Sequence, residues 1–270
     1  MENNYRELPF TNNFMFSNTL YNNYELCKEL LELILNVPIS RIEMVDTEKS
    51  IKTGYNSHGV RFDVYVEDEN NTRYDIDMQV EQDDDLPKRS RYYHRMLDAH
   101  QLRQGAKYKE LKESFVIFIC KYKLNIEKDK PIYYYEYTCK DDLEIKLNDG
   151  SHIVVVNCCY KGNDISEELR NFFNYIKTGI PTGEESNFVH RLEEEVAINR
   201  LNEEWEAAYM TFEEIVDIRC EKAMAEGRAE GREEGRAEAL KYFINLSSEE
   251  REAILNLTTD EITKKISEIK

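Results

Sequence analysis

Two short segments, GVRFDVYVE (59–67) and TRYDIDMQVE (72–81), alternate apolar and polar residues along their whole length, and only Asp68-Glu69-Asn70-Asn71 separates them. Alternation with period two marks a strand with one buried face, and the turn-forming tetrad between the segments predicts a β-hairpin. In both segments the even-numbered residues are the apolar ones: Val60, Phe62, Val64 and Val66, then Tyr74, Ile76, Met78 and Val80. These residues must share a face, so residues opposite one another across the ladder have the same parity and the loop has odd length. A three-residue loop at Glu69, Asn70 and Asn71 places Asp63 directly opposite Asp77, and a register shifted by two leaves them diagonal neighbours. The other face, with Asp63, Asp75, Asp77, Gln79 and Glu81, is expected to be polar and open to solvent.

Two carboxylates facing each other across a ladder repel by roughly 0.2–1 kcal/mol in water. A divalent cation reverses the sign of that interaction. Hard cations take oxygen ligands, commonly one or two carboxylates completed by water and phosphate oxygens, and such a centre suits hydrolysis of phosphodiesters. Gln79, two residues beyond Asp77 on the same face, is placed to orient a water or a phosphate oxygen. Pattern alone leaves two readings open, because Asp, Glu and Gln are also what a solvated strand surface carries.

The rest of the chain reads as a mixed α/β core. Leu26, Leu30, Leu33 and Ile34 recur at helical spacing between 24 and 36, ahead of Val37-Pro38, and a short β-prone run follows at 41–46. A second helix is expected over 86–111, with Pro87 in its first turn and Tyr92, Tyr93, Met96, Leu97 and His100 at three- and four-residue steps. FVIFIC (115–120) and HIVVVN (152–157) are apolar enough to be central strands, IYYYEYT (132–138) is a third, and 164–175 is helical. After Gly179, Pro181 and Gly183 the composition turns to Glu, Ala and Arg, which puts a boundary near 183 and makes 184–270 a helical extension. Within it Gly227, Gly231 and Gly235 recur every fourth residue, each followed by an arginine. Three helical glycines cost about 1 kcal/mol each relative to alanine, so either self-association or contact with the first domain offsets that cost, or the stretch is a loosely ordered linker. Ser247 with Glu250 and Thr258 with Glu261 mark two short helices at the far end.

Charge narrows the partners. A net charge of -18 over 270 residues repels nucleic acid unless the cations are gathered in one place. They are gathered between Leu86 and Lys123, where ten basic residues stand against three acidic ones. Lys88, Arg89, Arg91 and Arg95, with Tyr92 among them, are the candidate DNA contacts, against the plainer reading of a solvated basic helix face. At least one of the two adjacent tyrosines, Tyr92 and Tyr93, is expected to pack in the core. His94 and His100 have no partners at metal-ligand spacing and are expected to be structural or surface residues. The six cysteines show no C-x-x-C pair and read as reduced core thiols. No basic leader and no apolar run near 20 residues is present, so a cytoplasmic protein without membrane spans is expected.

Three segments in this order, LPFTNNFMFSNTL, GVRFDVYVEDENNTRYDIDMQVEQ and RSRYYHRMLDAHQLRQGAKYKEL, resemble the recombination-promoting nucleases, a PD-(D/E)XK-type family also described as transposase-like, over roughly residues 5–160. The resemblance implies an α/β, restriction-endonuclease-like mixed β-sheet core flanked by helices. It also implies a metal-dependent DNA endonuclease associated with recombination or mobile elements. Its active site falls on Asp63, Asp77 and Gln79, with a divalent metal on Asp63 and Asp77: magnesium first, with calcium or manganese as alternatives. Members carry Glu where this chain has Asp77, and the wider superfamily has lysine where Gln79 stands, so Lys88 or Arg91 is expected to supply the missing charge. The superfamily often adds an acid from its first helix, for which Glu29 and Glu32 are candidates and Glu32 the preferred one. The alternatives are a DNA-binding or protein-interaction module that keeps the fold without turnover, and an RNA nuclease using the same centre.

Overall fold

The structure, a computed structural model, describes residues 4–21, 23–47, 50–51, 60–61, 63–82, 85–102 and 107–244. Its elements are α1 (Asn13–Tyr21), α2 (Tyr24–Leu35), β1 (Ile42–Thr47), β2 (Ser50–Ile51), β3 (Val60–Arg61), β4 (Val64–Asp68), β5 (Arg73–Gln79), α3 (Leu86–Gln101), β6 (Ser114–Cys120), β7 (Ile132–Tyr135), β8 (Ser151–Asn157), α4 (Glu167–Thr178), α5 (Phe188–Arg200) and α6 (Glu203–Ile244). Six strands form one mixed sheet in the order β1-β4-β5-β6-β8-β7, parallel from β5 through β6 to β8 and antiparallel elsewhere. This is the restriction-endonuclease-like α/β architecture expected from the sequence.

The hairpin has the expected register. Val64 faces Ile76, Tyr65 faces Asp75, Val66 faces Tyr74 and Glu67 faces Arg73. Its loop closes as an Asx turn: the Asp68 carboxylate accepts from the N–H groups of Asn70 (2.8 Å) and Thr72 (2.9 Å), and Asn71 takes a left-handed φ of 62°. Asparagine tolerates that conformation better than most side chains, which suits a three-residue hairpin loop.

Both faces of the central strands are covered, contrary to the open polar face expected for the hairpin. On one side Val64, Val66, Ile76, Met78, Ile117, Ile119, Val154 and Val156 pack with α1, α2, α4 and α5 in the larger core. On the other, Leu86, Met96 and Leu97 of α3 cover Tyr65, Val116, Phe118, Cys120, Tyr133 and Val155. Strand alternation predicts which residues share a face; it does not reveal that a later helix lies over that face.

Three further boundaries differ from expectation. α1 precedes the helix read as first, and its residues Met15 to Leu20 are all buried, so it lacks the amphipathic stripe by which helices are recognised. The first hairpin segment is not one strand: β3 pairs with β2 in a separate two-stranded sheet, and the chain bends at Asp63 before β4 begins. α3 ends at Gln101, and Tyr108–Glu110 is a separate 3-10 turn.

The chain divides into two compact units, Met1–Tyr209 and Met210–Lys270, rather than near 183. The composition changes where the strands end, but Val189, Leu192 and Val196 of α5 are buried in the larger core, Tyr5 Oη donates to the Asn199 carbonyl (2.7 Å), and Arg200 Nε donates to the Leu8 carbonyl (2.9 Å). In the second unit α6 carries Gly227 and Gly231, and a Cβ added at either would meet nothing within 4 Å. The capping-box residues Ser247, Glu250, Thr258 and Glu261 lie outside the described residues. All six cysteines are free; Cys27, Cys120 and Cys158 are buried as expected, but Cys139 and Cys220 are exposed. Among the described residues no helix is long and apolar enough to cross a membrane.

Candidate active site

The bend before β4 aims Asp63 at the end of β5. Ser17 Oγ, on α1, donates to the Asp63 carbonyl (3.0 Å), while Asp63 N–H points at Asp77 Oδ1 (3.4 Å) and Asp63 Oδ2 accepts from Met78 N–H (3.2 Å). Each carboxylate therefore takes a backbone N–H from the other's segment, which holds the two acids together just beyond the last paired residues, Val64 and Ile76. Asp77 is 2 % exposed. Burial and the neighbouring Asp63 push its carboxyl up to about 8, against the opposing pull of Arg89, the Asp63 N–H and the Tyr93 hydroxyl.

Arg89 projects from the first turns of α3 into the same place. Its guanidinium donates to Asp77 Oδ2 (3.0 Å), Gln79 Oε1 (3.0 Å) and Tyr93 Oη (3.0 Å), and it sits 5.5 Å from the Tyr93 ring centroid and 5.6 Å from that of Phe118. Arg89 and Tyr93 are one helical turn apart, so they share a flank of α3. The positive charge beside Gln79 and Asp77 is thus that of Arg89. It does not come from Lys88, which is exposed and 3.5 Å from Asp85, nor from Arg91, which lines a different cavity.

These groups open onto a cleft of about 570 Å³ lined by Asn13, Asp63, Asp77, Gln79, Arg89 and Tyr93, with the strand end 80–82. The first-helix acid is absent from it. Glu32 Oε1 accepts from Ile39 N–H (2.8 Å) and closes the turn after α2, while Glu29 pairs with Arg191. Among the described residues, no three His, Cys, Asp or Glu side chains form a metal-holding group. The element that reaches the acids is α1, and it brings Asn13, a neutral side chain. Its only sequence signal lay in the LPFTNNFMFSNTL segment.

The other expected contacts scatter. Tyr92 packs against the α3-side core, and Arg91 and Arg95 line a second cavity on the opposite flank of α3. His94 is structural: Nε2 donates to the His152 carbonyl (3.1 Å) and Nδ1 accepts from Ser114 Oγ (3.2 Å), and burial brings its pKa down to about 4. The side chain of His100 lies outside the described residues.

One residue of the centre was not singled out by sequence. Asp75 is fully buried beside Asp77, with no hydrogen-bond partner for either carboxylate oxygen among the described residues. Burial, then Asp77 and Asp63, hold its carboxyl well above the usual range, against the opposing pull of Arg89. Its signal was the polar triplet 75, 77 and 79 on one strand face.

No curated protein and no solved structure matches the chain. A family model described as PD-(D/E)XK nuclease family transposase matches residues 10–226, which takes in the whole mixed sheet, α1, both acids and Arg89. An α/β nuclease sheet with two carboxylates and a cation converging at the end of its central hairpin agrees with that match, and the chain belongs to the PD-(D/E)XK nuclease family transposases.

Proposed function

We propose that this protein is a divalent-metal-dependent endonuclease that hydrolyses DNA phosphodiesters in recombination or the movement of mobile elements, with its centre at Asp63, Asp77 and Gln79. The observation that carries the proposal is the pair of carboxylates, Asp77 buried and Asp63 half-buried, each accepting a backbone N–H from the other's segment, with one guanidinium beside them and a cleft above. Two hard oxygen donors, forced together at an energetic cost, fit a magnesium-type ion whose remaining positions go to water and phosphate oxygens. Such an ion lowers the pKa of attacking water and offsets charge developing on the phosphate.

The chain's own residues do the rest. The backbone N–H groups of Asp63 and Met78 hold one oxygen of each carboxylate in place before substrate arrives. Gln79 has its Oε1 taken by Arg89, which leaves its amide N–H groups to hold a water or a phosphate oxygen. Arg89 places a permanent cation where negative charge grows on the phosphate, and Tyr93 fixes its direction.

Purified protein with duplex DNA and magnesium is expected to cleave, and Asp63→Ala to lose cleavage. Equal cleavage by both would sink the assignment. An RNA substrate run in parallel decides which nucleic acid the centre takes. A second reading, a binding module with the nuclease fold and no turnover, is favoured by the Arg89–Asp77 ion pair, which already occupies one carboxylate oxygen. Calorimetric titration of magnesium into wild type and Asp77→Ala separates the two. Binding that depends on Asp77 supports the nuclease, and its absence supports the module.

A further inference from the structure

Between β7 and β8 the chain folds back as a two-stranded arm. Leu147 N–H donates to the Tyr137 carbonyl (2.9 Å), Cys139 N–H donates to the Ile145 carbonyl (2.8 Å), and Thr138 bridges Lys146 in antiparallel sense. These pairings put Tyr137, Cys139, Ile145 and Leu147 on one face, in line with Tyr135 on β7 and with Leu143 at the turn. The other face holds Glu136 and Lys146 as an ion pair of 2.5 Å. The arm is therefore amphipathic, yet its apolar face is uncovered: Tyr137 is 56 % exposed, Leu143 71 %, Ile145 58 % and Leu147 67 %.

A two-stranded hairpin is marginal in water unless its apolar face is covered, and a contiguous apolar patch of this kind marks an interaction surface. We infer that this face is a self-association surface, and that its occupant is a second copy of this chain. Two observations favour a copy over other partners. The exposed side chains of Tyr135, Tyr137, Leu143, Ile145 and Leu147 amount to roughly 600 Å², against about 800 Å² per partner in a standard interface, so little more than this face and its margin is needed.

The margin carries both signs of charge. Tyr135 and Tyr137 form one wall of a cavity of about 280 Å³ in which Arg91, Arg95 and Lys112 stand beside Asp98 and Asp149. Under two-fold symmetry each copy can set its cations against the other's anions. A nucleic acid would meet Asp98 and Asp149 and gain less. This cavity shares no lining residue with the cleft over Asp63 and Asp77, so the association leaves that cleft open.

The test is sedimentation equilibrium on the full chain from about 1 to 100 µM, a range that brackets micromolar association. Wild type is expected to form a dimer with a Kd at or below about 10 µM. Replacing Ile145→Lys together with Leu147→Lys is expected to raise that Kd by at least about 100-fold, with circular dichroism and Tm unchanged, because both side chains face solvent in the single chain. Lys146→Ala, on the charged face, is expected to leave it unchanged. A wild type that stays monomeric throughout overturns the inference, as does a double variant that dimerises like wild type, which would move the association to α6 or elsewhere. Hydrogen exchange on wild type gives an independent reading: amides of 137–147 should gain protection with concentration, and exchange that ignores concentration overturns the proposal even if the variant misfolds.

Discussion

On β5, Tyr74, Ile76 and Met78 point into one core at 4, 0 and 3 % exposure, while Asp75, Asp77 and Gln79 point the opposite way at 0, 2 and 8 %. Burial is the same on the two faces, but its consequences are opposite. On the even face each side chain removed from water contributes about 1.5–3 kcal/mol of stabilisation. On the odd face the same dryness opposes ionisation, which raises Asp75 and Asp77 far above ordinary carboxylates. One strand thus serves as the foundation of the sheet and as a place where ionisation is penalised, and Arg89 offsets that penalty only in part. A site poised in this way gains from any cation that enters it.

Breaking the even face gives the largest expected effect. Ile76→Ala should destabilise the protein by about 2–5 kcal/mol in urea titration, because the cavity lies between β4 and β6 and cannot collapse. A loss below about 0.5 kcal/mol would contradict the packing of the larger core. On the odd face Arg89→Ala should leave the fold intact and lower magnesium-dependent cleavage by about 100- to 1000-fold, with Arg89→Lys recovering only part. Cleavage unchanged in Arg89→Ala would remove Arg89 from the charge-stabilising role.

A smaller effect tests the charge cost directly. Asp77 keeps its proton in the folded state up to about pH 8 and loses it near 4 when unfolded, so the folded state binds more protons between those values. Wild-type stability in chelator therefore falls as pH rises through that window, relative to Asp77→Asn, by at most about 1.4 kcal/mol per pH unit. Magnesium should reduce the difference. Parallel pH profiles of the two proteins in chelator would show that Asp77 titrates normally. The smallest effect is expected at Lys88, whose exposed ammonium meets only Asp85 among the contacts described: Lys88→Ala should change stability by less than about 0.5 kcal/mol and cleavage hardly at all. A loss of cleavage like that of Arg89→Ala would return Lys88 to the site.

The hairpin was legible because its information is local. Parity and a three-residue loop are enough to set Asp63 against Asp77, and the central strands β6 and β8 show as unbroken apolar runs. α1 was not legible, since a helix buried all round has no stripe. Neither was the break at Asp63, whose two sides belong to different sheets.

By itself the sequence determined the shared face of Asp63, Asp77 and Gln79, the mixed α/β core, and the concentration of cations in the segment that becomes α3. Only the tertiary structure decided which of those cations matters. Successive helical residues turn by about 100°, so Arg89 and Arg91 leave α3 on nearly opposite flanks, and only the docking of α3 on β5 and β6 selects Arg89 for the acids and Arg91 for the cavity beyond. The same docking covered the odd face and turned a polar strand surface into a buried acidic centre, because burial depends on elements distant in sequence that alternation within one hairpin cannot reveal.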